Sequence, residues 1–120
     1  MINRSELPAC PVETTLLLIG DKWKVLILRD LQTGTKRFGE LKRSVGGISQ
    51  KVLTTTLRTL ETDGLICRKV FAEVPPRVEY SLTERALTLI PLVDSLINWA
   101  ADNMADIVRD RAQGIEPVTT

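Results

Sequence analysis

Six polar side chains fall on one side of the stretch 49–58: Ser49, Gln50, Lys51, Thr54, Thr55 and Arg58. Their types are those that read the edges of base pairs. A Gln amide can pair with adenine through two hydrogen bonds, a Lys ammonium donates to guanine, and a Thr methyl meets the methyl of thymine. At 3.6 residues per turn they lie opposite Leu53, Leu57 and Leu60, with Val52 counted beside that apolar stripe. An ordinary solvated helix face has the same composition, so the neighbouring elements must separate the two readings.

Those neighbours favour nucleic acid. Residues 37–45 predict a helix of about two turns anchored by Phe38, Leu41 and Val45, with Lys36 and Arg37 at its start and Lys42 and Arg43 near its end. Gly46-Gly47-Ile48 makes a turn, Ser49 stands where a helix N-cap belongs, and Gly64 stops the helix 50–63. A short helix, a glycine turn and a capped longer helix make a helix-turn-helix. Residues 65–72 are rich in β-formers, and 78–82 alternate Val78, Tyr80 and Leu82 with polar residues. Glu73-Val-Pro-Pro-Arg77 is a stiff turn between them, so 65–82 reads as a wing. Lys36 and Arg37 suit phosphate positioning, and Arg77 at the wing tip suits a phosphate or minor-groove contact.

Charge is distributed to match. The net charge is only +1, yet residues 36–78 hold nine Lys/Arg against four acids, whereas 79–120 hold three against seven. The positive charge is concentrated where a DNA-facing surface needs it.

The other elements frame this motif. A first helix is expected over 12–19 and a second over 22–31, with Trp23, Leu26, Ile27 and Leu31 facing the core and Gly34 ending it. A final helix over 84–111 is capped by Thr83 and carries a stripe from Ala86 to Ile107, widened by Leu89, Leu92, Leu96 and Trp99. Pro91 is expected to kink or divide it. Its apolar arc is broader than so small a chain can cover alone, which predicts a homodimer interface formed by Leu16, Leu92, Leu96, Trp99 and Met104. The fold class is mainly α with a small β wing (α+β): an N-terminal arm 1–11, a winged helix-turn-helix domain 12–111 whose terminal helices form a dimerisation layer, and a flexible tail 112–120.

Several functions are excluded or disfavoured. The chain has no histidine, no phosphate-loop or nucleophile-elbow motif and no paired carboxylates in a plausible cleft, so no catalytic constellation, metal site or cofactor is expected. No apolar run approaches the length of a membrane span, and the N-terminus lacks the apolar segment of a signal peptide, so a cytoplasmic protein is expected.

Six fragments, in order and closely spaced over residues 10–99, resemble the HxlR-type winged helix-turn-helix regulators, relatives of the broader MarR group. They are Cys10-Pro-Val-Glu13, Ile19-Gly-Asp-Lys-Trp23, Arg37-Phe-Gly-Glu-Leu41, Ile48-Ser-Gln-Lys-Val-Leu53, Leu60-Glu-Thr-Asp-Gly-Leu-Ile66 and Pro75-Pro-Arg-Val-Glu-Tyr-Ser-Leu-Thr-Glu84. The resemblance implies a transcription regulator that is dimeric through its terminal helices and binds double-stranded DNA at a palindromic operator. It also implies a redox role for Cys10, which matches the position before the first helix where some such regulators sense electrophiles or oxidants. A thiol at a helix start sits where a thiolate is favoured; the opposing reading is a small residue filling a gap beside Pro11. Cys67 reads as a plain strand residue. A small-molecule or oxidant signal is left unidentified, and the rival function is a winged helix used for protein–protein contact without DNA.

Overall fold

A computed structural model describes residue 7 and residues 9–114. Local chemistry sets the first elements. Helix α1 (Pro11–Ile19) begins at a proline, whose missing N–H is one that a helix start leaves unbonded anyway. Helix α2 (Lys22–Asp30) is capped by Asp21, whose Oδ1 accepts from the Trp23 N–H at 2.7 Å. The chain then tightens into one 3-10 turn, Leu31–Thr33, before Gly34, so α2 ends one residue before the expected bound. Asp30 ties the following helix down, because its Oδ2 accepts from the Ser44 hydroxyl at 2.8 Å.

Lys36 and Arg37 do not start a helix, contrary to the sequence expectation. They form a short strand, β1 (Lys36–Arg37), and α3 (Phe38–Val45) follows. Arg37 is extended (φ −84°, ψ 164°), pairing with Glu79 while it caps α3, and its N–H donates to the Glu40 carboxylate at 2.8 Å. Two residues are too few for a period-two pattern, which is why the strand left no signal.

The turn after α3 requires glycine. Gly46 and Gly47 lie at φ 71° and 72°, successive left-handed conformations that disfavour a Cβ. Buried Ile48 follows and pins the turn to the core, and α4 (Gln50–Thr62) starts two residues on. Strands β2 (Ile66–Phe71) and β3 (Arg77–Leu82) complete an antiparallel sheet of order β1-β3-β2, with Ile66 opposite Leu82 and Phe71 opposite Arg77. The core gathers one apolar side from each element: Ile27, Leu28 and Leu31, then Leu41 and Ile48, then Leu53, Leu57 and Leu60, then Leu65, Ile66 and Tyr80.

Helix α5 (Glu84–Ala112) is a single helix and is not divided at Pro91. Pro91 removes one N–H donor without ending the run of helical residues, which continues for full turns on both sides. Its start is fastened to the sheet end. The Thr83 Oγ1 accepts from the Ala86 N–H at 3.1 Å and donates to the Gly64 carbonyl at 2.6 Å. Residues up to Ile90 form one compact unit, which includes Ala86 and Leu89, and residues from Pro91 form a second. In the second, Leu92, Leu96, Ile97, Trp99, Met104, Ile107 and Val108 are exposed. No helix of the described residues is long and apolar enough to cross a membrane. The arm 1–11 and tail 112–120 fall partly outside the described residues.

Candidate nucleic-acid interface

Helix α4 carries the polar face. Ser49 caps it, its Oγ accepting from the Val52 N–H at 3.1 Å, so this hydroxyl is engaged in holding the helix start. Gln50, Lys51, Thr55 and Arg58 are exposed and Thr54 is half-buried. The threonine hydroxyls turn back onto the helix: Thr54 donates to the Gln50 carbonyl at 2.8 Å and Thr55 to the Lys51 carbonyl at 3.0 Å. With the hydroxyl proton committed, these two positions still present a methyl group and an oxygen that can only accept.

One assignment on this helix changes. Val52 was counted with the apolar stripe but is exposed, and Thr56 is buried instead. Thr56 is tolerated inside because its hydroxyl donates to the Val52 carbonyl at 2.7 Å, which removes the cost of burying it unbonded. Leu53, Thr56, Leu57 and Leu60 therefore face the core, and Val52 joins Gln50, Lys51 and Thr55 on the outward side.

The wing has two chemically distinct faces, because successive strand residues point to opposite sides. On the outer face Cys67, Lys69 and Phe71 stand opposite Ser81, Glu79 and Arg77. Arg77 is held there on three sides. Its Nη2 lies 2.9 Å from Glu73, its Nη1 lies 3.5 Å from Glu79, and its guanidinium stacks 3.9 Å from the centre of the Phe71 ring. Lys69 caps the same ring at 5.1 Å. Arg77 was expected to reach outward from the wing tip, whereas its charge is met by two carboxylates of the wing itself. The tip proper is Val74, fully exposed, in the loop 72–76.

The inner face carries Ile66, Arg68 and Val70 opposite Leu82, Tyr80 and Val78. Lys36 of β1 also pairs with Tyr80, so Lys36, Tyr80 and Arg68 form a row across the three strands. Arg37 falls in the other row, opposite Glu79. Arg68 is exposed on the same face of the sheet as Tyr80, although the sequence expectation passed over it. Its two-residue spacing from Ile66 was the available signal: if Ile66 faces the core, Arg68 must share that face.

The remaining sites are dispersed. Lys42 and Arg43 are exposed on α3. Cys10 is an exposed free thiol at the capping position of α1; its carbonyl accepts from the Thr14 N–H at 3.2 Å, and its sulfur makes no cap. Cys67 is exposed and free on β2. Trp23 and Phe38 pack against the core, whereas Trp99 is exposed.

Comparison with known proteins places this geometry among regulators. Residues 18–107 match the family model described as HxlR-like helix-turn-helix. An HTH-type transcriptional regulator of Methanothermobacter thermautotrophicus is 51% identical over 90 residues, covering 75% of this chain and 69% of that one. The HTH-type transcriptional regulator YybR of Bacillus subtilis is 44% identical over 106 residues, covering 88% and 85% of the two chains. Among solved structures, the redox regulator HypR in its oxidised form superposes with a TM-score of 0.75 at 48% identity, covering 78% of this chain and 97% of that one.

Proposed function

The chain belongs to the HxlR-like helix-turn-helix family of DNA-binding transcriptional regulators, and from that premise we propose that it acts as a homodimer on a palindromic operator. Bases are read by Gln50, Lys51, Thr54, Thr55 and Arg58, with the newly exposed Val52 among them. Lys36 and Arg37 grip phosphates beside the groove, and Ser49 contributes through the helix start that it caps. The single observation that carries this reading is α4 itself. It is capped, rooted in the core by Leu53, Leu57 and Leu60, and presents an unobstructed polar side.

The dimer rests on the exposed apolar side chains of α5, Leu92, Leu96, Trp99 and Met104, together with Leu16 on α1. Large apolar side chains left exposed in this number are unfavourable in water and are usually covered by a partner. A two-fold dimer would set the two reading helices about one DNA turn, ~34 Å, or a multiple apart. In this reading the protein is a cytoplasmic regulator and not an enzyme.

Its signal is an oxidant or electrophile received at Cys10. The thiol is exposed at a helix start, and HypR, similar in fold and sequence, is a redox regulator. Cys10→Ser is then expected to abolish any effect of oxidant on DNA affinity, and an unchanged response would remove Cys10 from this role.

Selection of bound duplexes from a random pool, with affinity measured across salt, tests the whole reading. Enriched inverted repeats and a slope of about 0.9 log unit per phosphate contact per log unit of salt are expected. A winged helix serving only protein contacts would bind no DNA at low salt, and a monomer by light scattering would sink the dimer.

A further inference from the structure

The exit of α4 and the entry of α5 are joined by more than the chain between them. Helix α4 closes around a left-handed glycine. Gly64 lies at φ 75°, its N–H donates to the Glu61 carbonyl at 3.0 Å, and the Leu65 N–H donates to the Leu60 carbonyl at 2.9 Å. That closure does not use the carbonyls of residues 63–65. All three accept from two residues at the entry to α5: Asp63 from the Arg85 Nη1 at 3.0 Å, Gly64 from the Thr83 hydroxyl at 2.6 Å and Leu65 from the Thr83 N–H at 3.2 Å. Arg85 does more than donate. Its guanidinium lies so close to Gly64 that a Cβ added there would stand 2.6 Å from Nη1 and 3.3 Å from Cζ. Glycine is therefore required at this position twice, by its φ and by the guanidinium. A cation here also meets the negative end of the α4 dipole.

We propose that Arg85 is a positioning residue for base reading. It holds the C-terminal end of α4 to the start of α5, as Ser49 holds the N-terminal end, and so fixes the tilt at which Gln50, Lys51 and Thr55 enter the groove. This role rests on α4 being the reading helix. An amide or ammonium that reads a base must meet it at hydrogen-bond distance. A helix of 13 residues is about 20 Å long, so a small swing at one end displaces the side chains along it. Phosphate contacts from long Lys and Arg side chains follow such a swing more easily. Loss of the clamp therefore costs discrimination between sequences more than affinity for DNA in general. Gly64→Ala reaches the same end from the other side, by displacing the guanidinium rather than deleting it.

The full chain is compared with Arg85→Ala, Arg85→Lys, Gly64→Ala and the double variant carrying Gly64→Ala and Arg85→Ala. Arg85 is exposed, so its truncation opens no cavity in the core. Each form is titrated across salt, well below its melting temperature, with a duplex selected from the random pool and with a scrambled duplex of equal length. Arg85→Ala is expected to lower the ratio of the two affinities by about threefold to tenfold, the equivalent of one net hydrogen bond, with the salt slope unchanged. Arg85→Lys can still donate to the Asp63 carbonyl and recovers part of the ratio. Gly64→Ala lowers the ratio when Arg85 is present and has no further effect on it once Arg85 is gone. A ratio that stays put in Arg85→Ala overturns the proposal. A slope lowered by about 0.9, one phosphate contact, overturns it too, because Arg85 then grips DNA itself. Amide hydrogen exchange of the free protein reads the clamp without DNA: Arg85→Ala speeds exchange at Gly64 and Leu65 and leaves Leu53 unchanged, and equal rates in the two forms overturn the clamp. A wild type that binds both duplexes equally defeats α4 as the reading helix instead, and the exchange rates then decide the clamp alone.

Discussion

The two faces of the wing hold their arginines in opposite ways. On the outer face Arg77 lies between Glu73 and Glu79 and over Phe71, so its charge is met within the wing. On the inner face Arg68 shares a cleft with Arg58 and Tyr80 and has no ion-pair partner among the described residues. Residue type and position favour Arg77, which stands next to the prolines at the tip. Neighbouring charge favours Arg68. A guanidinium already paired must give up those contacts before it grips a phosphate, whereas an unpaired one gives up only water. On the proposed reading, Arg77 braces the wing on the outer face, and Arg68 on the inner face is left free for a duplex.

This contrast requires both faces to hang on one rigid body, and the core side of α4 is what provides it. Leu53→Ala removes a fully buried side chain beneath the reading face. A loss of about 2–5 kcal/mol is expected in urea unfolding, the usual range for such a cavity. DNA affinity should fall for every sequence alike, since no base-contacting group is changed. A variant of unaltered stability would mean that α4 and the sheet are not held by this core.

The faces themselves are separated by Arg77→Ala. It removes two partly exposed ion pairs and a cation–π contact, together worth roughly 1 kcal/mol after allowance for solvent screening. The expected result is a small drop in melting temperature and somewhat weaker DNA binding, with the salt slope unchanged. A slope lowered by a full contact would show that Arg77 leaves its carboxylates for a phosphate, and the contrast between the faces would fail.

How far the chain could be read in advance follows the same division between local and distant chemistry. Ser49 as a cap, Gly46-Gly47 as a turn and Leu53, Leu57 and Leu60 as a buried stripe were all readable, because capping, left-handed backbone and helical period act over a few residues. Strand β1 was not readable: Lys36 and Arg37 are extended because they pair with Tyr80 and Glu79, more than forty residues away. The exchange of Val52 for Thr56 was half-readable. Both lie one position from the stripe, and only a hydroxyl bonded to its own helix lets the threonine go inside. The pairing of Arg77 depends on Glu79 two residues on, at the same strand parity, and on Glu73 across the turn. Those acids were visible, but their distances were not.

The smallest effect tests the contrast at the scale of one hydroxyl. Thr55 resembles Arg77 in having its polar group engaged inside the protein, here by the Lys51 carbonyl at 3.0 Å. If internal bonding decides which groups are free for DNA, Thr55 offers its methyl. Thr55→Val keeps a branched side chain with methyls and should leave base preference within about 0.5 kcal/mol of the parent, the scale of a surface change that disturbs no named contact. Thr55→Ser keeps the hydroxyl and removes the methyl, so it should weaken any preference for thymine at the facing position by more than the valine does. Binding to duplexes altered at a single base pair measures both. If serine preserves the preference and valine loses it, the hydroxyl leaves the helix to meet the base, and engagement within the chain is no guide to what this interface uses.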